Sequence, residues 1–162
     1  MENAAPASGL LDEVRGFLSD LRRDWPELFR PKTRPAPPAV VATATSAPPP
    51  APGSPAAHFH ARAAHWAPML GVTFGRVRVK DQRTLWGSCA PSGDLNFNWR
   101  LTLAPPEVLD YVVIHELAHR LEMNHSQHFW AHVARICPEH REHRRWLRRR
   151  GRELQSAPRA GV

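Results

Sequence analysis

The residues with the clearest chemical signature are His115, Glu116 and His119, which form an H-E-x-x-H motif. Side chains four residues apart lie on one face of a helix, so the two imidazoles can bind one tetrahedral metal ion. Glu116 projects beside that ion, where it can take a proton from a metal-bound water and pass it to a leaving group. The ion lowers the pKa of its water, which gives a nucleophile at neutral pH. The motif therefore predicts zinc-assisted hydrolysis.

A catalytic zinc ion usually has three protein ligands and an open fourth position. We expect His125 to be the third ligand, because Met123 and Asn124 before it can turn the chain back towards the motif. The same spacing occurs in extended H-E-x-x-H-x-x-G-x-x-H proteases. Glu122 stands where those proteases have glycine, so the turn must differ in conformation. The alternative third ligands are His128, Glu139 and Glu142.

The motif lies in a segment that is apolar on most sides. Pro105 and Pro106 open it, and the helical pattern runs from residue 107 to about residue 121. The segment is predicted to be a central, buried helix. Such a helix has little reason to carry two histidines and a glutamate unless something binds them. The alternative is a helix edge at the surface with incidental histidines.

Three short stretches before this helix have the pattern of strands. Val77 and Val79 alternate with polar residues, and residues 85–89 enter a turn at residues 91–94. Residues 95–100 alternate between apolar and polar side chains, which predicts a hairpin with one polar face. We expect that face to line a substrate cleft, and the alternative is the solvated face of an edge strand. The candidate substrate contacts are Asn96, Asn98 and His128.

The chain divides by composition into four parts. Within residues 1–30, the pattern over positions 10–29 predicts an amphipathic helix, which would either pack back on the domain or dock a partner. Residues 31–55 are rich in proline and alanine and are typical of a flexible linker. The compact domain is expected over residues 56–152, and residues 153–162 are expected to be a disordered tail.

Helices are expected at both ends of the compact domain. The first covers residues 56–70 and stops at Gly71. After the motif, Ser126 can cap a helix with an apolar stripe. A last stretch begins at Pro138, is anchored by Trp146 and Leu147, and is expected to end at Gly151.

The formal net charge of +7 favours acidic partners. An arginine-rich stretch near the C-terminus could bind nucleic acid, and the alternative is a solvated helix face around Trp146.

The two cysteines, Cys89 and Cys137, are expected to be free thiols, and Cys89 to be a small packed residue rather than a reactive one. No long apolar run is present, so we expect a soluble, cytoplasmic protein without a membrane span.

Several separate motifs together resemble the YgjP-like metallopeptidases, relatives of the SprT and WLM zinc proteases. The resemblance covers about residues 74–150 and rests on residues 86–89, 95–101, 104–106 and 115–130. It implies a compact zincin domain with a twisted antiparallel sheet beside the motif helix. It also implies zinc bound by His115, His119 and His125, with Glu116 as general base. One departure is that such proteins usually carry a longer β-rich portion before this region, where this chain is proline-rich.

We therefore expect an α+β fold in which a short antiparallel sheet packs on the central motif helix, with further helices after it. The predicted function is a zinc metallopeptidase acting on a peptide or protein. One alternative is a metal-dependent nucleotide phosphohydrolase, such as a pyrophosphatase, although the chain has no P-loop. Another is a non-catalytic module that binds nucleic acid or protein and uses zinc for stability.

Overall fold

The computed structural model describes residues 50–51 and 53–158, and this part of the chain holds four α-helices and three short strands. In chain order they are α1 (Pro55–Leu70), β1 (Val77–Lys80), β2 (Gly87–Cys89), β3 (Leu95–Asn98), a 3-10 helix (Trp99–Leu103), α2 (Pro106–Ala118), α3 (Gln127–Ile136) and α4 (His140–Ser156). The helix expected over residues 10–29 and nearly all of the expected linker lie outside the described residues.

Local capping sets the ends of two helices. The Ser54 hydroxyl accepts a hydrogen bond from the Ala57 backbone amide at 3.1 Å, which begins α1. Gly71 ends that helix in the left-handed conformation, with φ at 71°. Ser126 caps α3 as expected, because its hydroxyl accepts from the backbone amide of Phe129 at 3.3 Å.

The three strands form one mixed sheet in the order β1-β3-β2. The predicted hairpin is confirmed, since β2 pairs antiparallel with β3, with Ser88 opposite Asn96. The expectation of a purely antiparallel sheet is wrong, because β1 pairs parallel with β3 and places Val77 opposite Leu95. The alternation along one strand indicates its two faces and gives no information about the direction of its neighbour. β3 lies between β1 and β2, so the alternative interpretation of its polar face as the solvated face of an edge strand is wrong.

β3 also ends earlier than the alternation suggests. The side chain of Asn98 accepts a hydrogen bond from the Arg100 backbone amide at 3.1 Å and caps the 3-10 helix. Its amide nitrogen donates to the carbonyl oxygens of Gln82 and Leu85 at 2.6 and 3.1 Å. Residues 99 and 100 therefore belong to the turn that leads into α2.

The prediction of a central buried helix is confirmed for α2. Every residue from Tyr111 to His119 is buried. The core also includes residues of α1 and the sheet. The Phe59 ring of α1 stacks on the Phe97 ring of β3 at a centroid distance of 4.8 Å. A bidentate ion pair between Arg62 and Asp110, with both nitrogen–oxygen distances at 2.6 Å, joins α1 to α2.

The last helix is longer than its sequence suggests. α4 runs on to Ser156, so the expectation that it ends at Gly151 is wrong. Gly151 is a packing residue instead, because a Cβ atom there would stand 3.1 Å from Cζ2 of Trp86. Leu147 is buried and anchors the helix as expected. Among the described helices, none combines the length and the apolar composition that a membrane span requires.

Candidate metal centre

The structure brings the side chains of His115, His119 and His125 together. One ring nitrogen from each lies within 4.8 Å of the others, and the Nε2 atoms of His115 and His125 are 2.9 Å apart. α2 ends at Ala118, but His119 keeps nearly helical backbone angles, with φ at −64° and ψ at −14°. The two motif histidines therefore remain one turn apart on the same face, and the loop after the helix supplies the third.

A backbone contact orients the second histidine. The Nδ1 atom of His119 lies 3.1 Å from the carbonyl oxygen of Glu122. A carbonyl oxygen can only accept, so Nδ1 donates this hydrogen bond and Nε2 keeps a lone pair that can bind a metal. Glu122, at the position where related extended motifs have glycine, thus acts through its main chain.

Aromatic rings of α3 enclose the three imidazoles. The Phe129 ring is fully buried, and its centroid lies 4.9, 4.6 and 4.5 Å from those of His115, His119 and His125. Trp130 packs against two of them, at 5.7 Å from His115 and 5.8 Å from His125. These rings limit contact with water around the imidazole nitrogens and strengthen the electrostatic interactions there.

The same enclosure favours the neutral forms of His115 and His125. Burial lowers the pKa of His115 well below its usual value, and the neighbouring histidines and Arg144 lower it further. Burial, with His119 and Arg144, also lowers the pKa of His125 to about 3. Neutral imidazole is the form that binds a metal, so the convergent ring nitrogens fit a transition-metal cation.

Glu116 lies next to this cluster, against strand β2. Its side chain is only 3% exposed, and burial raises the pKa of its carboxyl group to about 8. A Cβ atom at Gly87 would stand 2.6 Å from Oε1 of Glu116, so the glycine leaves room for the carboxyl group. The arrangement places a poorly solvated acid–base group beside a candidate metal centre.

The other site residues suggested by the sequence are either exposed or bonded within the fold. His128 is exposed on α3, and Glu142 is exposed on α4. Asn96 is 8% exposed and donates to the Ser88 hydroxyl at 3.1 Å, whereas Asn98 is fully buried among its backbone partners. The amide groups of both asparagines thus bond within the fold, and their role in substrate binding stays a prediction.

Sequence reasoning missed Arg144, which the structure places near the three histidines. Its side chain is 9% exposed and lies over the Trp130 ring at 5.6 Å, and its charge lowers the pKa of His115 and His125. Arg144 lies in a run of arginines, so only the spacing of the buried positions along α4 distinguishes it from its exposed neighbours. The buried positions of α4 recur at helical spacing: His140, Arg144, Leu147 and Gly151.

The chain matches the model of a known protein family. The family is YgjP-like, described as a metallopeptidase domain, and the match covers residues 54–150. The chain therefore belongs to the YgjP-like family and is a metallopeptidase. The match begins at residue 54, which extends the resemblance seen in the sequence back through α1.

One solved structure is similar in fold. It is the crystal structure of the metallopeptidase zymogen of Pyrococcus abyssi abylysin, with a TM-score of 0.51 and 23% sequence identity. The similarity covers 56% of this chain and 93% of that chain. No curated protein sequence matches this chain. The similarity supports the arrangement of helices and strands described above.

Proposed function

We propose that the protein is a zinc-dependent peptidase in which His115, His119 and His125 hold the metal and Glu116 is the general base. The convergence of three ring nitrogens within 4.8 Å, beside a buried carboxyl group, carries this proposal. Membership in a metallopeptidase family supports a peptide or protein as the substrate.

The donor set favours zinc among the common metals. Three imidazole nitrogens with room for a further ligand are typical of catalytic zinc sites, whereas magnesium and calcium prefer oxygen ligands. A bound zinc ion would lower the pKa of a coordinated water and polarise the scissile carbonyl group. The enclosing rings of Phe129 and Trp130 hold the ligands in place before the metal binds.

Glu116 is suited to move the protons of the reaction. It adjoins His115 in the chain, and burial makes its carboxylate a stronger base than an exposed one. In a peptidase it would accept the proton of the attacking water and deliver it to the leaving amine. The absence of a side chain at Gly87 leaves the space that this carboxyl group occupies.

The test compares the wild type with Glu116→Gln and, as a matched control, Glu142→Gln. Glu142 carries the same group on the exposed face of α4. Zinc content is measured in each protein, and hydrolysis is followed with casein, short peptides and nucleotides. We expect Glu116→Gln to keep its zinc and to lose peptide hydrolysis by about 100-fold or more, while Glu142→Gln stays active.

Two outcomes would contradict the proposal. Equal peptide hydrolysis by wild type and Glu116→Gln would remove Glu116 from the mechanism. Glu116-dependent hydrolysis of nucleotides, without any of peptides, would assign a different substrate to the same centre.

A further inference from the structure

A second group of metal-binding side chains lies at the junction of α3 and α4. The sulfur of Cys137, a carboxylate oxygen of Glu139 and a ring nitrogen of His143 all lie within 4.8 Å of one another. None of these residues belongs to the three-histidine cluster. Thiolate, imidazole and carboxylate together form a donor set typical of zinc and other borderline-soft cations.

The backbone of the junction holds these three side chains close. Cys137 directly follows α3, and its carbonyl oxygen accepts a hydrogen bond from the His140 amide at 3.1 Å. The Nδ1 atom of His140 lies 3.1 Å from the same oxygen. The His143 amide donates to the Glu139 carbonyl at 3.3 Å, which closes the first turn of α4. Glu139 and His143 therefore lie on one face, next to the cysteine.

The surroundings of the thiol favour a cation. Burial, followed by the charges of Glu139 and Asp110, raises the pKa of Cys137 to about 11. The Asp110 charge acts on the thiol from α2, where Asp110 is paired with Arg62. Burial itself does not favour a cation, but a divalent cation at this place would compensate the two acidic charges. When the metal binds, the sulfur–hydrogen bond breaks, a sulfur–metal bond forms and the proton passes to solvent.

We propose that Cys137, Glu139 and His143 form a second metal site, which binds zinc or a similar borderline-soft divalent cation. The bound ion would link the end of α3 to the first turn of α4. Rings also connect the two centres, because the Tyr111 ring lies 6.2 Å from that of His143 and 6.0 Å from that of His115. α4 carries Arg144 as well, so the second ion would brace the helix that faces the first centre.

Cobalt(II) is the probe that separates the two centres, because only a thiolate ligand gives a sulfur-to-cobalt charge-transfer band in the near ultraviolet. The full-length protein is titrated with cobalt(II) as wild type, Cys137→Ser and Cys89→Ser. Cys89 is the matched control, since it is the other free cysteine of the chain. We expect the band in wild type and in Cys89→Ser, and its loss in Cys137→Ser with a fall from two bound ions to one.

Two further variants keep the test decisive. His143 is only half-buried, so His143→Ala should fold even if Cys137→Ser does not, and it should weaken the cobalt(II) affinity of the thiolate site about tenfold or more. His119→Ala removes a ligand of the proposed catalytic centre and should keep the band. Loss of the charge-transfer band in His119→Ala would place the thiolate at the histidine cluster and overturn the second site. The second site would also be overturned by a band that persists in Cys137→Ser, or by an unchanged cobalt(II) affinity in His143→Ala. None of these readouts depends on peptide hydrolysis.

Discussion

The main chain of Gly87 lies directly against the carboxyl group of Glu116. A Cβ atom at residue 87 would stand 2.6 Å from Oε1 and 2.8 Å from Cγ of the glutamate, closer than non-bonded atoms approach in folded proteins. The backbone of strand β2 therefore packs against the carboxyl group of the candidate general base. This close packing is possible because residue 87 has no side chain.

Gly87→Ala should displace Glu116 and slow catalysis without removing the metal. The added methyl group competes with the carboxyl group for the same space, and a shift of about 1 Å in a catalytic group can cost about 100-fold in rate. We expect kcat to fall by about tenfold to about 100-fold while zinc content is unchanged. Steady-state peptide hydrolysis and metal analysis measure the two quantities.

Gly151→Ala is the control for this substitution. It adds the same methyl group 3.1 Å from Cζ2 of Trp86, away from the carboxyl group of Glu116. It should lower thermal stability and leave kcat of the folded protein nearly unchanged. Equal losses of kcat in both variants would show that Gly87 acts through general packing rather than through Glu116.

His125→Ala and His128→Ala should differ in metal content. His125 contributes to the convergent nitrogens, whereas His128 is exposed on α3. Loss of one of three ligands should weaken zinc binding about tenfold or more, and loss of His128 should have no effect. Competition with a zinc chelator measures both affinities, and equal affinities would exclude His125 as a ligand.

Asn98→Ala should destabilise the domain. The substitution leaves the carbonyl oxygens of Gln82 and Leu85 without their donor and removes the cap of the 3-10 helix. We expect the free energy of unfolding to fall by about 1–3 kcal/mol, measured by urea unfolding. Thr102→Ala, which loses one exposed hydrogen bond to Trp99, should have a much smaller effect. A raised Michaelis constant with unchanged stability would instead support substrate binding by Asn98.

The metal-free protein should lose stability as the pH falls below about 6.5. Burial lowers the folded-state pKa of three histidines, so below pH 6.5 the unfolded chain binds more protons than the folded one. Their contribution is complete above pH 6.5 and declines towards about pH 3, the pKa of His125. Glu116 has the opposite effect on stability between pH 4.5, the usual pKa of a glutamate, and about pH 8, because its pKa is raised in the folded protein. Three histidines with lowered pKa values oppose this single glutamate, so we expect the net stability to fall on acidification. They are His115, His125 and His140.

Urea unfolding of chelator-treated protein at about pH 7 and about pH 5 checks this direction. His125→Ala should reduce the difference between the two values, because one titrating group is removed. A free energy of unfolding that rises on acidification would mean that Glu116 dominates the titration.

The sequence predicted that His115 and His119 share one helix face and that α2 is buried, because both depend on local spacing. It also indicated the position of His125, which the structure brings to the motif histidines. The parallel pairing of β1 and the burial of Asn98 depend on neighbours distant in the chain, and no local pattern encodes them. Arg144 was hidden because a charged residue is normally assigned to solvent. The nucleic-acid role of the exposed arginines on α4 stays a prediction.

The mixed sheet has a consequence for the order of folding. The β2–β3 hairpin joins residues near one another in the chain, with Cys89 opposite Leu95. The β1–β3 ladder joins residues farther apart in the chain, with Val77 opposite Leu95, and it encloses the whole intervening segment that contains β2. Closing such a loop lowers the chain entropy before the β1–β3 contacts can stabilise the structure. The joining of β1 to the hairpin should therefore limit the refolding rate of the domain.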